Sequence, residues 1–251
     1  MRTLRLSITF IGLLAVWQLI VVATGAPPYI LPAPADVALA MAERPALLMQ
    51  HAWVTFVEIV LGLAFGTVLG VVSALTIALY RPAKQWLLPV LVISQALPVF
   101  ALAPVLVLWL GYGMPSKVAM AVLIIYFPVT AAFYDGLRRT EAGWLDLART
   151  MGASRGAMLR HIRIPAALPA FGSGVRVGAA VAPIGAVVGE WVGSSAGLGY
   201  LMLHANARMQ VDFMFAALAL LAGFGLLLYF AVDAGLRRLT YWQREQSPFD
   251  D

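Results

Sequence analysis

The sequence contains no cysteine at all. That excludes a disulfide scaffold, a thiolate metal site and a cysteine nucleophile, and leaves the redox compartment unreadable. Charge is scarce as well: 12% of the 251 residues are charged and 62% are hydrophobic, against about a quarter and about a half in a soluble domain. A soluble core of this size could not hide so much apolar surface, because surface-to-volume scaling leaves much of any such chain facing water. Most of the chain must therefore meet lipid, and an ordinary soluble enzyme is excluded. Histidine is rare too. His51, His161 and His204 lie far apart, none with a ligand-type partner at i+3 or i+4, so no metal site is expected. No Gly-Lys pair occurs anywhere, so the chain lacks the phosphate-cradling loop of an ATPase.

What is present is a series of charge-free windows of the length a bilayer span requires, roughly 20 residues. Six are expected: helix one at Leu6–Ala23, helix two at Ile59–Leu79, helix three at Leu87–Leu110, helix four at Val118–Tyr134, helix five at Leu168–Gly189 and helix six at Phe213–Asp233. Pro89, Pro98 and Pro104 interrupt helix three, and Pro183 interrupts helix five. Proline frees backbone carbonyls that protein or a wet cavity must satisfy, which places these two helices in the bundle interior; the plainer reading is that proline is common in membrane helices. The first window follows Arg2 and Arg5 and resembles a secretion signal, but it is long for one and Ala23-Thr-Gly-Ala26 is only a passable cleavage site. It reads as a retained helix. Between helices one and two lie a Pro-rich turn (Pro27, Pro28, Pro32, Pro34) and a short helical pattern around Val37–Met49.

The basic residues set the orientation. With the N-terminus inside, the inner segments hold thirteen arginines and lysines, including Arg81, Lys84, Arg138 to Arg163, Arg237, Arg238 and Arg244. The outer ones hold three: Arg44, Lys117 and Arg208. That asymmetry puts both ends in the cytoplasm. It also accounts for the net charge of +5 without nucleic acid as a partner.

The cytoplasmic loop 135–167 carries the densest signal. Glu141, Leu145, Ala148 and Gly152 fall at helical spacing on one face, shallow near its end. Gly152 is a natural helix breaker, Ser154 a cap for a second short helix, and Pro165 its limit. Such a helix suits a groove on a partner protein, and it equally suits the surface of anionic lipid. Within the spans, ionisable groups mark function by default. Arg176 either snorkels to the cytoplasmic face or pairs with an acidic residue at an inner gate. Glu190, beside the turn Gly193–Gly199, is a gate candidate or a structural cap. Glu58 reads as a water-facing boundary charge. Gln95, in the kinked helix three next to Pro98, is an uncharged candidate for lining a path. Phe100, Trp109 and Trp191 could stack on a ring, and Trp109 and Trp191 equally suit the interfacial belt.

The spacing Asp146-x-Ala148-x3-Gly152-x9-Ile162-x-Ile164-Pro165 resembles the permease loop motif of bacterial ATP-binding-cassette importers, written there Glu-Ala-Ala-x3-Gly-x9-Ile-x-Leu-Pro. Asp146, Leu147 and Ile164 depart from it. Pro98–Gly113 with Ser116-Lys117, and Gly189–Gly199, resemble the nitrate, sulfonate and taurine branch. Ser94-Gln-Ala-Leu-Pro98 is most similar to permeases for thiamine pyrimidine precursors. The resemblance spans Thr55–Tyr241. It implies an all-α polytopic membrane helix bundle of about six transmembrane helices, the type I importer permease fold, in the bacterial inner membrane. The implied division is 1–55 for the first helix and periplasmic segment, 56–240 for the transmembrane core and 241–251 for a cytoplasmic tail. Glu141, Leu145, Asp146, Ala148 and Gly152 would couple to an ATPase subunit, with Ala148 and Gly152 the close-contact positions and Asp146 the polar one. The implied partners are two ATPase subunits, a second permease copy or a similar chain, a periplasmic binding protein and the bilayer. ATP and Mg would bind the ATPases, leaving this chain without cofactor or catalysis. The cargo implied is a small polar nutrient: a thiamine pyrimidine precursor first, with sulfonate, taurine or nitrate as alternatives. An ion-coupled secondary transporter would need carboxylates near the midplane, and no acidic residue lies deep in any of the six windows.

Overall fold

A computed structural model describes residues 2–242 and, within them, the side chains of 8–95 and 97–242. Arg2 and Arg5 therefore enter only as backbone, and Arg244 and the expected tail beyond Trp242 lie outside the described residues. The described chain forms α1 (Arg2–Thr24), α2 (Pro34–Glu43), α3 (Pro45–Leu79), α4 (Arg81–Ala96), α5 (Val99–Leu110), α6 (Met114–Arg138), α7 (Ala142–Thr150) and α8 (Arg155–Met158). A π turn (Leu159–Arg163) follows, then α9 (Ile164–Gly193), α10 (Leu198–Ala207) and α11 (Val211–Leu239). Proline occupies the first turn of α2, α3, α4, α6 and α9, where its missing N–H is not needed and its fixed φ already suits a helix.

Four continuous helices are long and apolar enough to cross a membrane: α3, α6, the run Arg155–Gly193 and α11. The bent pair α4–α5 makes a fifth. α1 runs from Arg2 to Thr24, and the part of it whose side chains are described, Ile8–Thr24, is a further apolar helix. Helix two does not begin at Ile59. It begins at Pro45 and runs 35 residues, and Glu58, read as a boundary charge, is a buried side chain within it, as are His51 and Thr55. The expected boundary between 55 and 56 thus falls inside one helix. Helix three is not a single interior span either. It bends by 107° between α4 and α5 at Leu97, whose extended backbone (φ −83°, ψ 124°) is what the following Pro98 imposes on its predecessor. Trp86, Ile93, Phe100, Leu108 and Trp109 on this pair are exposed; within the chain it is peripheral.

The centre of the bundle is α6, held between α3 and α9 by glycines on both sides. Gly62, Gly66 and Gly70 of α3 face Ala121, Ile125 and Val129 of α6, while Gly185, Gly178 and Gly174 of α9 press on the same three from the other side. A Cβ at Gly66 would come within 2.9 Å of Ile125, one at Gly70 within 2.8 Å of Val129, and one at Gly185 within 2.7 Å of the Ala121 Cα. Lipid gives helices no hydrophobic reason to associate, so close backbone approach must supply the attraction. Helix five, as α9, is interior as expected.

Pro165 does not end the second short helix. The chain passes from α8 into α9 through the π turn, in which the Ile164 N–H donates to the Leu159 carbonyl five residues back. The wider turn makes room for the proline ring, which would otherwise meet the carbonyl four residues earlier.

Candidate functional site

At the end of the bundle that carries α2 and α10, the start of α10 is buried and has no capping side chain of its own. A helix N-terminus leaves its first N–H groups without partners. Here α3 and α9 supply them. The Gly197 N–H donates to His51 Nδ1 (3.0 Å) and the Leu198 N–H to Thr55 Oγ1 (2.7 Å). The N–H groups of Gly199 and Tyr200 both donate to Glu190 Oε2, at 2.5 and 3.2 Å. The Thr55 hydroxyl in turn donates to Glu190 Oε1 at 2.6 Å. One carboxylate, 1% exposed, thus joins α3, α9 and α10, and its negative charge meets the positive end of the α10 dipole. Gly197 sits at φ 113°, and a Cβ there would overlap the Glu190 carboxyl. Of the two readings of Glu190, the geometry is that of a cap. His51, Thr55 and the pairing itself escape the sequence, because they lie about 140 residues from α10; the signal that was available is Gly-Leu-Gly at 197–199 with no cap residue before it.

Behind this cap lies Glu58. It is not a water-facing boundary charge: it is 0% exposed, neighbours Glu190 and faces Lys117 of α6 at 3.7 Å. Neither of its carboxyl oxygens has a hydrogen-bond partner among the described residues. The expectation of no acidic group deep in the bundle fails here, since α3 carries Glu58 well inside its length. Lys117, counted above as a loop charge, is buried too.

Nearer the other end, Arg176 pairs with an acidic residue instead of snorkelling. Its Nε lies 2.6 Å from Asp233 Oδ1 on α11, and Arg237 holds Oδ2 at 2.8 Å. Asp233 was not singled out by the sequence. Gln95 is exposed near the end of α4, and Pro98 is the residue that starts α5 after the bend. Neither approaches Arg176–Asp233 or the Glu190 cap through any described contact.

The loop 135–167 forms the helix–turn–helix its residues suggest. Glu141 stands at the start of α7, exposed; Leu145 is half-buried; Ala148 is buried. Gly152 does not continue that face. The helix stops at Thr150, the Gly152 N–H donates to Arg149 O (2.9 Å) and the Ala153 N–H to Ala148 O (2.9 Å), the paired closing bonds that a left-handed glycine permits. Gly152 has φ 78° and no atom within 4 Å of where a Cβ would stand. Ser154 then caps α8, accepting from the Ala157 N–H. Asp146 is exposed and bonded to Arg149 at 2.6 Å. Between α7 and the start of α9 lies an apolar groove of about 490 Å³ lined by Trp144, Ala148, Met151, Pro165 and Trp242.

The chain is a helical membrane bundle with a glycine-packed centre and a short helix–turn–helix at one end. Residues 66–241 match the family model described as binding-protein-dependent transport system inner membrane component. The chain belongs to that family and is an inner-membrane permease of the ATP-binding-cassette importer type. A probable ABC transporter permease of Haemophilus influenzae is 58% identical over 91% of this chain and 94% of its own length. The riboflavin transport permease RibX of Chloroflexus aurantiacus is 39% identical over 96% and 90%, and the formylaminopyrimidine transport permease ThiX of Halalkalibacterium halodurans 34% identical over 98% of each. Among solved structures, the MetNI methionine ABC transporter in an inward-facing conformation superposes with a TM-score of 0.65 at 20% identity, over 77% of this chain and 96% of that one. At that identity the likeness is one of fold.

Proposed function

We propose that this permease carries a small nitrogen heterocycle inward, a thiamine pyrimidine precursor of the formylaminopyrimidine type first among the candidates. The observation that carries the cargo is that two long-range relatives are named for ring compounds, formylaminopyrimidine and riboflavin. The run Ser94–Pro98 at the α4–α5 bend supports the pyrimidine. Cargo would reach the chain from a periplasmic binding protein, and the chain itself would do no covalent chemistry.

Separate ATPase subunits, holding ATP and Mg, would act on α7. The support is geometric: α7 stands out at one end, its last turn closes on a glycine with open space around it, and exposed arginines surround it. On this reading the α7 end is cytoplasmic, Asp146, Ala148 and Gly152 meet the ATPase, and the α2–α10 end faces the periplasm. The exposed aromatic face of α4–α5 would be covered by a second permease copy or a similar chain. ATP-driven approach of the ATPases would move α7, and α9 with it through the π turn, to alternate the open side of the path.

The test is to express the partner binding protein and measure its affinity for formylaminopyrimidine, riboflavin, taurine, an alkanesulfonate and nitrate by calorimetry. Uptake of the preferred compound is then followed in a strain lacking this permease. Tightest binding of the pyrimidine and lost uptake support the reading. Preference for taurine, the sulfonate or nitrate removes the cargo assignment and leaves the permease in place.

A further inference from the structure

The start of α10 is held by side chains from two other helices and by nothing of its own, while one face of α10 reaches the surface at Leu203 and Asn206, and Met209 in the turn that follows it borders, with Val211 and Asp212 of α11, a groove shared with Asp36 and Glu43. One short helix thus joins a buried polar centre to an exposed rim. We propose that Glu190, oriented by Thr55, is a positioning residue for α10, and that the seat it makes fixes the outer rim of the path relative to α3 and α9. The transport consequence rests on the permease reading above; the seat itself does not.

The chemistry of the seat is specific. Glu190 uses both oxygens, one to accept from a hydroxyl and the other to accept from two backbone N–H groups, which an anion at a helix N-terminus does well. Thr55 is the orienting group: its oxygen accepts from Leu198 while its proton goes to Glu190. His51 closes the set at Gly197 and stacks on Tyr200 with ring centroids 5.8 Å apart. No water is needed to satisfy the α10 start. If Thr55 loses its hydroxyl, Leu198 N–H and Glu190 Oε1 each lose a buried partner. Glu58 and Lys117 lie in the next layer, so a Glu190 without Thr55 keeps only its Oε2 bonds to Gly199 and Tyr200 and is free to turn its other oxygen toward that ionisable pair.

The experiment uses the full permease assembled with its ATPase subunits in lipid. Because the chain has no cysteine, spin labels can be placed at Trp53 of α3 and Asn206 of α10, with Trp53 and Leu218 of α11 as a reference pair; all three sites are exposed. Thr55→Val removes the hydroxyl at nearly constant shape, Thr55→Ser restores it, and Glu190→Ala removes the carboxylate. We expect the Trp53–Asn206 distance distribution to be narrow in the parent and in Thr55→Ser, and broad or displaced in Thr55→Val and Glu190→Ala, with the Trp53–Leu218 pair unchanged in all. Uptake of formylaminopyrimidine should fall about tenfold or more in Thr55→Val, as expected for two buried groups left unpaired, recover in Thr55→Ser, and leave basal ATP hydrolysis within about twofold. A Trp53–Asn206 distribution that stays narrow in Thr55→Val overturns the proposal. So does equal broadening of both pairs, which would make Thr55 a general stability residue. If Glu190→Ala fails to assemble, the Thr55 pair still decides. If the parent does not take up the pyrimidine, the cargo reading fails and the distances still judge the seat.

Discussion

Gly197 and Gly152 both have left-handed backbones, yet they stand in opposite surroundings. At Gly197 the Glu190 carboxyl occupies the space of a side chain, so Gly197→Ala combines backbone strain with displacement of a buried anion. The expected loss is about 2–4 kcal/mol, read as a fall in the unfolding temperature of the detergent-solubilised chain; an unchanged midpoint would mean that Glu190 does not sit there. Around Gly152 the space is open, so Gly152→Arg carries only about 1–2 kcal/mol of left-handed strain. That variant should fold, run as a single species and fail to copurify with the ATPase. Normal copurification would remove α7 as the docking element. Gly152 was legible because a helix-stopping glycine announces itself locally. Glu58 was misread because a lone carboxylate between apolar runs looks the same at a water boundary as beside a buried lysine; only the fold brings Lys117 within 3.7 Å.

Among the elements, the three central helices depend on two files of glycine meeting the same three residues of α6. Gly66→Leu puts a branched side chain where even a Cβ would lie 2.9 Å from Ile125, and Gly178→Leu does so from the opposite side. Overpacking of this sort costs about 1–3 kcal/mol, occasionally more. Each variant should lower the yield of monodisperse protein in size-exclusion chromatography, whereas Gly223→Leu, which meets nothing within 4 Å, should not. The i, i+4, i+8 file of Gly62, Gly66 and Gly70 was not singled out from the sequence, and only the fold shows which helix it faces. The prolines were half legible. Pro98 does break helix three, while Pro89 and Pro104 stay within α4 and α5, and within the single chain the pair is peripheral. A proline reports on backbone hydrogen bonds, whereas burial depends on which neighbours arrive, and within one chain none covers the α4–α5 face.

For the whole molecule, topology is testable because Glu43 and Asp212 border one groove while Asp146 lies at the α7 end. Single cysteines at Glu43 or Asp212 should react with an impermeant maleimide in intact cells, and one at Asp146 should not; the reverse result would invert the orientation drawn from the arginines. The membrane class, the helical fold and the helix–turn–helix of loop 135–167 were legible because composition and short-range spacing encode them. The α10 seat was not, because it is made across 135 residues of chain. One feature of the α7 end reaches through the whole bundle. The π turn at Leu159–Arg163 holds one residue more than an α turn, and each residue of an α-helix advances the surface by about 100°. Counting faces upward from α8 therefore goes out of phase at this turn, and the glycines of α9 meet α6 only because the surplus residue has already rotated them there. The turn is a phase setter between the loop and the core: shorten it by one residue, for example by deleting Arg160, and helicity should survive while loop and core are left a quarter-turn or so out of step.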